Sequence, residues 1–265
     1  MEEKSNKGFI ITIIILIVII LGLGGFIAYD KFLKKESEEE KIVEVEDAEL
    51  DLNTFYQVGD ILNQFDQAFS DTSSTFFGYP YRAKKLTAKN FDMSAAIYLS
   101  SYSLLTKNGV HTLLKESKVE DNFTKIFGNN LKYVGSEVVA GDNYHILYDG
   151  TAKIYGAALQ PEVKNRLISY NTINTKTNVT ENGISIIRKV YYVEYESPDN
   201  GVTVTRAYIY SDNSKQQLIA AMPLTNDTIN EKELLGKYGS KLKTFKYTFS
   251  RKNEQTYNFY SIEMI

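Results

Sequence analysis

The sequence predicts an α+β fold: an N-terminal transmembrane helix, then helices packed on one face of a curved antiparallel sheet. Three observations lead to this prediction. Residues 8–29 are uncharged and almost wholly apolar. Residues 52–128 carry apolar side chains at the three- and four-residue spacing of amphipathic helices. From residue 144 onward, apolar and polar residues alternate with the period of two that is typical of strands. Helices followed by a run of strands favour α+β over a parallel α/β sheet.

The apolar segment of residues 8–29 is long enough to cross a bilayer. At about 1.5 Å of rise per residue, about 22 helical residues cover a hydrocarbon core about 30 Å thick. A cleaved signal peptide is the alternative, with Lys4 and Lys7 as its charged start. However, the apolar run continues through Ala28 and contains no A-x-A cleavage site. The sequence therefore favours a short cytoplasmic tail, residues 1–7, and a retained signal-anchor helix.

An acidic segment follows the apolar one. Residues 36–51 contain nine acids against one lysine, a composition that keeps a chain extended and solvated. We interpret residues 30–51 as an acidic linker and residues 52–265 as one folded domain; alternatively, the acids begin the first helix of that domain. Lysines flank the apolar segment on both sides, with slightly more on the C-terminal side, which leans against an outside C-terminal domain. Long domains, however, translocate largely regardless of charge. We therefore expect a single-pass protein of the cell membrane with its C-terminal domain extracytoplasmic.

The first helix of the domain is predicted from an apolar stripe. Steps of three and four residues place these side chains on one face, which is typical of a helix packed on a core. Gln64 lies off this stripe, so we expect its side chain at the surface. The stripe should pack on the buried face of the last hairpin of the sheet. Its members are Phe55, Val58, Leu62, Phe65 and Phe69.

Two further helices are predicted before residue 129. The second covers Asp92–Thr106, and Asn108-Gly109 provides the residue types that end helices. The third is expected to begin at Ser117, because Ser117 and Glu120 have the S-x-x-E spacing of a capping box. Gly128 is expected to end it.

The second half of the chain is predicted to form antiparallel strands. Asp149-Gly150 and Pro198-Asp199-Asn200-Gly201 are typical turn sequences between paired strands. The polar run Asn174–Asn182 is interpreted as a loop or a long hairpin tip, and Asn230–Tyr238 as a short helix. The predicted strands are Tyr144–Tyr148, Thr151–Ala158, Arg166–Ile173, Ile184–Glu196, Val202–Ser211, Gln217–Met222, Leu242–Phe249 and Thr256–Ile262.

No motif in the sequence identifies a reaction. The absence of cysteine excludes disulfides, thiolate metal ligands and cysteine nucleophiles. The two histidines, His111 and His145, belong to no H-E-x-x-H or H-x-H motif, and the sequence contains no G-x-S-x-G, P-loop or G-x-G-x-x-G motif. A net charge of −3 without a clustered basic patch argues against nucleic-acid binding. We therefore assign no catalytic, cofactor-binding or metal-ligating residue and expect no cofactor.

Several stretches together give the chain a recognisable organisation. They are the apolar anchor Lys7–Tyr29, the acidic linker, Val119-Glu120 with Phe123 and Ile126-Phe127-Gly128, Lys237-Tyr238-Gly239, and Phe245-Lys246-Tyr247-Thr248-Phe249. With them the chain resembles uncharacterised single-span envelope proteins of Gram-positive-type bacteria. The order of helices followed by a curved sheet is also similar to that of NTF2-like and cystatin-like domains. Those folds host enzymes and binding modules alike, so the resemblance implies no catalytic residue.

Two functions from different classes follow from these observations. We expect a membrane-tethered, extracytoplasmic, non-catalytic module that binds a protein, a peptide or a component of the cell envelope. The alternative is an enzyme or a small-ligand sensor that uses a cavity between helices and sheet. In an enzyme of this kind, His145 and a neighbouring acidic residue or tyrosine would act as acid and base. A cavity that holds His145 and a carboxylate would favour the enzyme.

Overall fold

Four α-helices, four short 3-10 helices and eleven strands make up the regular structure of the described residues. The computed structural model describes residues 56–108, 113–141, 144–159, 167–198, 203–253 and 256–265, which all belong to one unit, Glu44–Ile265. The helices are α1 (Tyr56–Phe69), α2 (Met93–Asn108), α3 (Glu116–Phe127) and α4 (Glu231–Tyr238). The strands are β1 (Lys85–Thr87), β2 (Leu113–Lys115), β3 (Val138–Gly141), β4 (Tyr144–Asp149), β5 (Ile154–Leu159), β6 (Ile168–Thr180), β7 (Gly183–Glu196), β8 (Arg206–Tyr210), β9 (Leu218–Pro223), β10 (Lys243–Asn253) and β11 (Thr256–Met264).

The strands form two antiparallel sheets, so the expected single curved sheet is wrong. A seven-stranded sheet has the order β1-β11-β10-β7-β8-β9, with β6 paired to β7, and a four-stranded sheet has the order β2-β5-β4-β3. The small sheet buries Leu114, Ile146 and Tyr155 in the core that also contains α2 and α3. Alternation in the sequence shows which side chains share a face but not which strands are partners, so it does not distinguish one sheet from two.

Strand β7 is the branch point of the large sheet. Its first part, Gly183–Val190, pairs with β10, and its last part, Tyr192–Glu196, pairs with β8. On its other side β6 runs along nearly its whole length. The polar run expected as a loop or hairpin tip, Asn174–Asn182, instead continues β6 to Thr180 and leaves only a two-residue turn.

Helices cover both faces of the large sheet, which corrects the expected arrangement on one face. Helices α1, α2 and α3 share the main core with Phe245, Tyr247 and Phe249 of β10. Helix α4 contributes Leu234 to a second core, which also includes Tyr191, Val193, Ala207, Ile209 and Met222. Strands β7 to β9 carry apolar side chains on this opposite face as well. This second face of the large sheet is therefore also apolar and needs a covering element that excludes water.

The predicted packing of α1 on the last hairpin is confirmed for the described members of the stripe; Phe55 lies outside the described residues. The ring of Phe65 lies 6.2 Å from that of Tyr247 and 5.0 Å from that of Phe259, measured between centroids. The expected surface position of Gln64 is wrong: this side chain is buried and accepts a hydrogen bond from Asn122 Nδ2 at 2.8 Å. A polar residue beside an apolar stripe can be buried when a neighbouring helix supplies its hydrogen-bond partner.

The start of α3 also differs from the sequence prediction. The helix begins at Glu116, and Lys115 precedes it without a side-chain cap, so Ser117 lies inside the first turn and forms no capping box. Gly128 ends the helix as predicted, with a φ of 56° that favours glycine.

The transmembrane element of the predicted fold finds no support in the structure. Among the residues that the structure describes, no helix is long and apolar enough to cross a membrane. The segment predicted to do so, residues 8–29, and the acidic linker of residues 30–51 lie outside the described residues. The fold as corrected consists of two antiparallel sheets, with helices on both faces of the larger one.

Candidate functional site

Strand β6 has one side with which no described strand pairs. It pairs with β7 and with no other strand in the described ranges. Leu167 accepts a hydrogen bond from the backbone N–H of Tyr195 at 2.7 Å, which fixes the direction of the backbone groups at the start of this pair. These groups alternate in direction along an antiparallel strand, so residues 169, 171 and 173 point theirs toward β7. The residues whose N–H and C=O groups point outward are Tyr170, Thr172 and Asn174.

The outward-facing residues of β6 also carry their side chains on the side covered by α1. In the register with β7, Thr172 lies opposite Val190 and Asn174 opposite Arg188. The hydroxyl of Thr172 donates a hydrogen bond to Asp66 Oδ2 of α1 at 3.2 Å, which shows this direction directly. Helix α1 therefore runs beside an open strand edge.

Two clefts lie between α1 and β6. The first, which we call the edge cleft, measures about 310 Å³ and also reaches the first residue of α4. Its lining residues are Asp66, Gln67, Ser70, Tyr170, Asn171, Thr172 and Glu231. The second, which we call the Arg188 cleft, measures about 330 Å³. Its lining residues are Tyr56, Gly59, Asp60, Leu62, Asn63, Asn174 and Arg188.

The two clefts follow each other along one groove. The Arg188 cleft is lined by residues of the first half of α1 and by Asn174 of β6. The edge cleft is lined by residues of the second half of α1 and by residues 170–172 of β6. This order means that α1 and β6 run in opposite directions. We call the two clefts together the α1–β6 groove.

An ion pair between Arg188 and Asp66 connects α1 to the sheet where the clefts meet. Arg188 is 4% exposed, and its Nη1 and Nη2 donate to Asp66 Oδ1 and Oδ2 at 3.1 and 2.7 Å. Nη2 also donates to the Thr172 hydroxyl. The guanidinium carbon lies 5.2 Å from the ring centroid of Tyr247, a cation–π distance. Nε is buried and donates to no atom of the described residues.

The charges around Arg188 favour binding rather than proton transfer. Burial by itself lowers the pKa of Arg188, but the charge of Asp66 raises it above its usual value, so the guanidinium stays charged. Burial raises the pKa of Tyr247 to about 12 and also raises the pKa of Tyr81, whose hydroxyl accepts from that of Tyr247 at 3.0 Å. All three groups keep their protons at neutral pH, and Arg188 and Tyr247 act as hydrogen-bond donors.

The histidines lie elsewhere. His145 is half-buried on β4, opposite Val139 and Ala158, and it lines neither the edge cleft nor the Arg188 cleft. His111 lies outside the described residues. Within the described ranges, no group of three or more His, Cys, Asp or Glu side chains has a geometry that could hold a metal ion. The enzyme hypothesis, which required His145 in a cavity, gains no support from these two clefts.

Sequence reasoning did not identify this site, although one signal for it was present. Arg188 occupies a position between Ile186 and Val190 where the alternation of β7 requires a buried side chain. A charged residue at such a position needs a partner, because an unpaired charge is costly to bury. The partner, Asp66, lies 122 residues earlier in the chain, and no local pattern connects the two.

Comparisons with known proteins add no assignment. No protein-family model, no curated protein and no solved structure matches this chain. The resemblance to single-span envelope proteins, and to NTF2-like and cystatin-like domains, therefore stays a prediction. The same holds for the expected extracytoplasmic location, because it depends on residues 1–55, which the structure does not describe.

Proposed function

We propose that this chain is a non-catalytic binding module that takes an extended peptide segment of a partner protein as an additional strand on β6. The open side of β6 next to α1 supports this proposal most directly. Peptides that add a strand to a sheet edge gain affinity from main-chain hydrogen bonds and specificity from pockets for alternate side chains. The α1–β6 groove offers both features, because the edge cleft and the Arg188 cleft accompany the outward-facing residues.

The two halves of β6 differ in how well they can accept a strand. A bulge between Asn174 and Lys176 interrupts the register with β7, and residues 174–176 are exposed. A bulge and an exposed lysine are devices that protect strand edges from pairing. Residues 168–173 form a regular ladder with β7 without such a device. We therefore place the added strand along Ile168–Asn174.

The backbone alone would give only modest affinity. Tyr170, Thr172 and Asn174 offer three N–H donors and three C=O acceptors, and a net hydrogen bond contributes about 1 kcal/mol. Six such bonds give about 6 kcal/mol before the cost of ordering the peptide is subtracted. A binding free energy of about 6 kcal/mol corresponds to a dissociation constant between about 1 μM and 1 mM. Side chains in the two clefts must supply tighter or selective binding.

The proposal is tested by selecting random linear peptides for binding to the full-length chain and then N-methylating the best binder one residue at a time. An added strand donates every second N–H to β6, so every second N-methyl group should abolish binding while those in between have little effect. Equal tolerance at all positions would contradict strand addition.

A pair of protein variants tests the same idea from the side of β6. Asn174→Pro removes one outward N–H at an edge position that tolerates proline, and Asn174→Ala changes the side chain but keeps the N–H. The proline variant should bind about fivefold more weakly than the alanine variant, which corresponds to the loss of one hydrogen bond of about 1 kcal/mol. If sedimentation shows instead that the chain forms dimers that Asn174→Pro disrupts, a second copy occupies the edge and the peptide proposal is wrong.

A further inference from the structure

We propose that the peptide added to β6 carries a lysine or arginine whose side chain pairs with Glu231, the first residue of α4. This inference depends on the proposed function and extends it to sequence preference. It starts from the edge cleft, which has lining residues from helices on opposite faces of the large sheet. On one face, Asp66, Gln67 and Ser70 belong to α1. On the other face, Glu231 belongs to α4.

The edge cleft therefore extends around the open edge of β6. Thr172 directs its side chain toward α1, where its hydroxyl donates to Asp66. The residues on either side of Thr172 face the other way. Ile173 packs in the core that contains α4, and Asn171 Nδ2 donates to the hydroxyl of Tyr195 beside that core at 3.2 Å. A strand paired with β6 would continue this alternation, so its side chains would face α1 and α4 in turn.

The direction of pairing decides which peptide residues face α4. Every described strand pair of the large sheet is antiparallel, and the added strand continues this pattern. In an antiparallel pair, the peptide residues opposite Tyr170 and Thr172 exchange hydrogen bonds with β6 and carry their side chains on the α1 side. The peptide residue opposite Asn171 points its N–H away from β6 and its side chain toward α4. Strand addition therefore does not need the N–H of this residue.

The carboxylate of Glu231 lies near the row of side chains that this peptide residue would join. Asn171 is directly opposite Tyr191 of β7, and Tyr191 is buried in the core that contains α4. Burial raises the pKa of Tyr191, and the charge of Glu231 raises it further, which places the carboxylate close to this row. The next position in the row, beyond Asn171, is that of the peptide residue.

The charges at the edge cleft favour a basic side chain at that position. Asp66 is paired with Arg188. Glu231 is exposed and forms no ion pair with another residue of the described ranges. Its negative charge is therefore left uncompensated. The other lining residues are uncharged: Gln67, Ser70, Tyr170, Asn171 and Thr172.

A lysine or arginine can use both parts of its side chain here. Its aliphatic stem can lie against Asn171 while its charged end reaches the carboxylate of Glu231. Because Glu231 is exposed, the ion pair contributes about fivefold in affinity at most. A glutamate at the same peptide position would meet a like charge, which disfavours binding.

The test uses the tightest linear peptide selected against the full-length chain. Lysine and glutamate are placed at each of its positions in turn, and dissociation constants are measured for the wild type and for Glu231→Lys. At one position the lysine peptide should bind the wild type about fivefold more tightly than the glutamate peptide, and Glu231→Lys should reverse this order. This position should be one that tolerates an N-methyl group.

Two further variants separate the local charge from the net charge of the chain. Glu231→Gln should remove the preference for lysine without reversing it. Glu233→Lys makes the same change of net charge on the same helix, but Glu233 does not line the edge cleft and pairs with Lys237. This control should keep the wild-type order of affinities.

The possible results distinguish the inference from the proposed function. If Glu231→Lys reverses the order at no position, or only where an N-methyl group abolishes binding, the inference is wrong and strand addition stands. The inference is also wrong if Glu233→Lys reverses the order as strongly as Glu231→Lys. If no linear peptide binds, both the inference and the proposed function are wrong.

Discussion

Replacing Asp66 by asparagine tests how the α1–β6 groove is held together. The side chain of Arg188 is 5% exposed and that of Asp66 is 33% exposed, and the pair is joined by two hydrogen bonds. Removing one partner of a buried pair costs about 3–5 kcal/mol because the other charge stays buried without compensation. Asparagine keeps one acceptor oxygen for Arg188, so we expect Asp66→Asn to reduce the free energy of unfolding by about 3 kcal/mol.

The two halves of the ion pair should differ in their effect. Arg188→Met should cost less than Asp66→Asn, because water can hydrate the partly exposed Asp66 carboxylate once Arg188 is gone. The matched control is Asp60→Asn. Asp60 pairs with Lys125 at a position where both side chains are more than 40% exposed, and such pairs contribute about 1 kcal/mol or less.

Urea unfolding of the four proteins measures these differences as shifts of the midpoint at constant slope. A loss of about 3 kcal/mol is easily resolved, since domains unfold with about 5–15 kcal/mol in total. Equal effects of Asp66→Asn and Asp60→Asn would refute the buried pair. A larger effect of Arg188→Met than of Asp66→Asn would refute the argument from unequal exposure.

Three further predictions concern stability. Leu62→Ala should cost about 2–5 kcal/mol, because Leu62 is buried in the main core. Gly183→Ala should cost about 3 kcal/mol, the upper end for overpacking, because a Cβ atom there would lie 2.0 Å from the backbone oxygen of Phe249, which cannot rotate away. Asp212→Asn should cost about 1 kcal/mol at pH 7 and clearly less near pH 2. Hydrogen bonds, first from Lys243, lower the pKa of Asp212 to about 2, so its contribution to stability is fully present above about pH 4 and is lost as the pH falls through 2.

All three predictions are measured by urea unfolding, with control variants for the first two and a contradicting result for each. Gln67→Ala on the exposed side of α1 should change stability by no more than about 0.5 kcal/mol, and an effect equal to that of Leu62→Ala would mean that α1 is not docked. Gly236→Ala, in a helix with open space around it, should stabilise by about 0.5–1 kcal/mol, and an equal gain from Gly183→Ala would contradict the close approach. A constant difference between pH 7 and pH 2 would contradict the prediction for Asp212.

Local patterns in the sequence were sufficient for the elements that depend on neighbouring residues. The stripe on α1, the stop at Gly128 and the last hairpin are all set by residues within a few positions of each other, and the structure contains them. The burial of Gln64 was missed because its partner, Asn122, is on a helix 58 residues away.

The candidate site depends on contacts that no local pattern records. The free edge of β6 follows from the pairing of β7. Strands β10 and β8 share one side of β7, and β6 occupies the other side with no second partner among the described strands. The polar composition of residues 174–182 resembles that of a loop, and tertiary pairing outweighs local composition in strands. Arg188 is a charged residue at a position where the alternation of β7 requires a buried side chain.

Hydrogen exchange of the free full-length chain tests the open edge of β6 most directly. The amides of Asn171 and Ile173 donate toward β7 and should exchange slowly. Those of Tyr170, Thr172 and Asn174 should exchange rapidly, because no strand of the described residues accepts from them. Adding the selected peptide should slow the exchange of the second group without changing the first. Slow exchange of Tyr170, Thr172 and Asn174 in the free chain would show that the edge is already occupied and would contradict the proposed function.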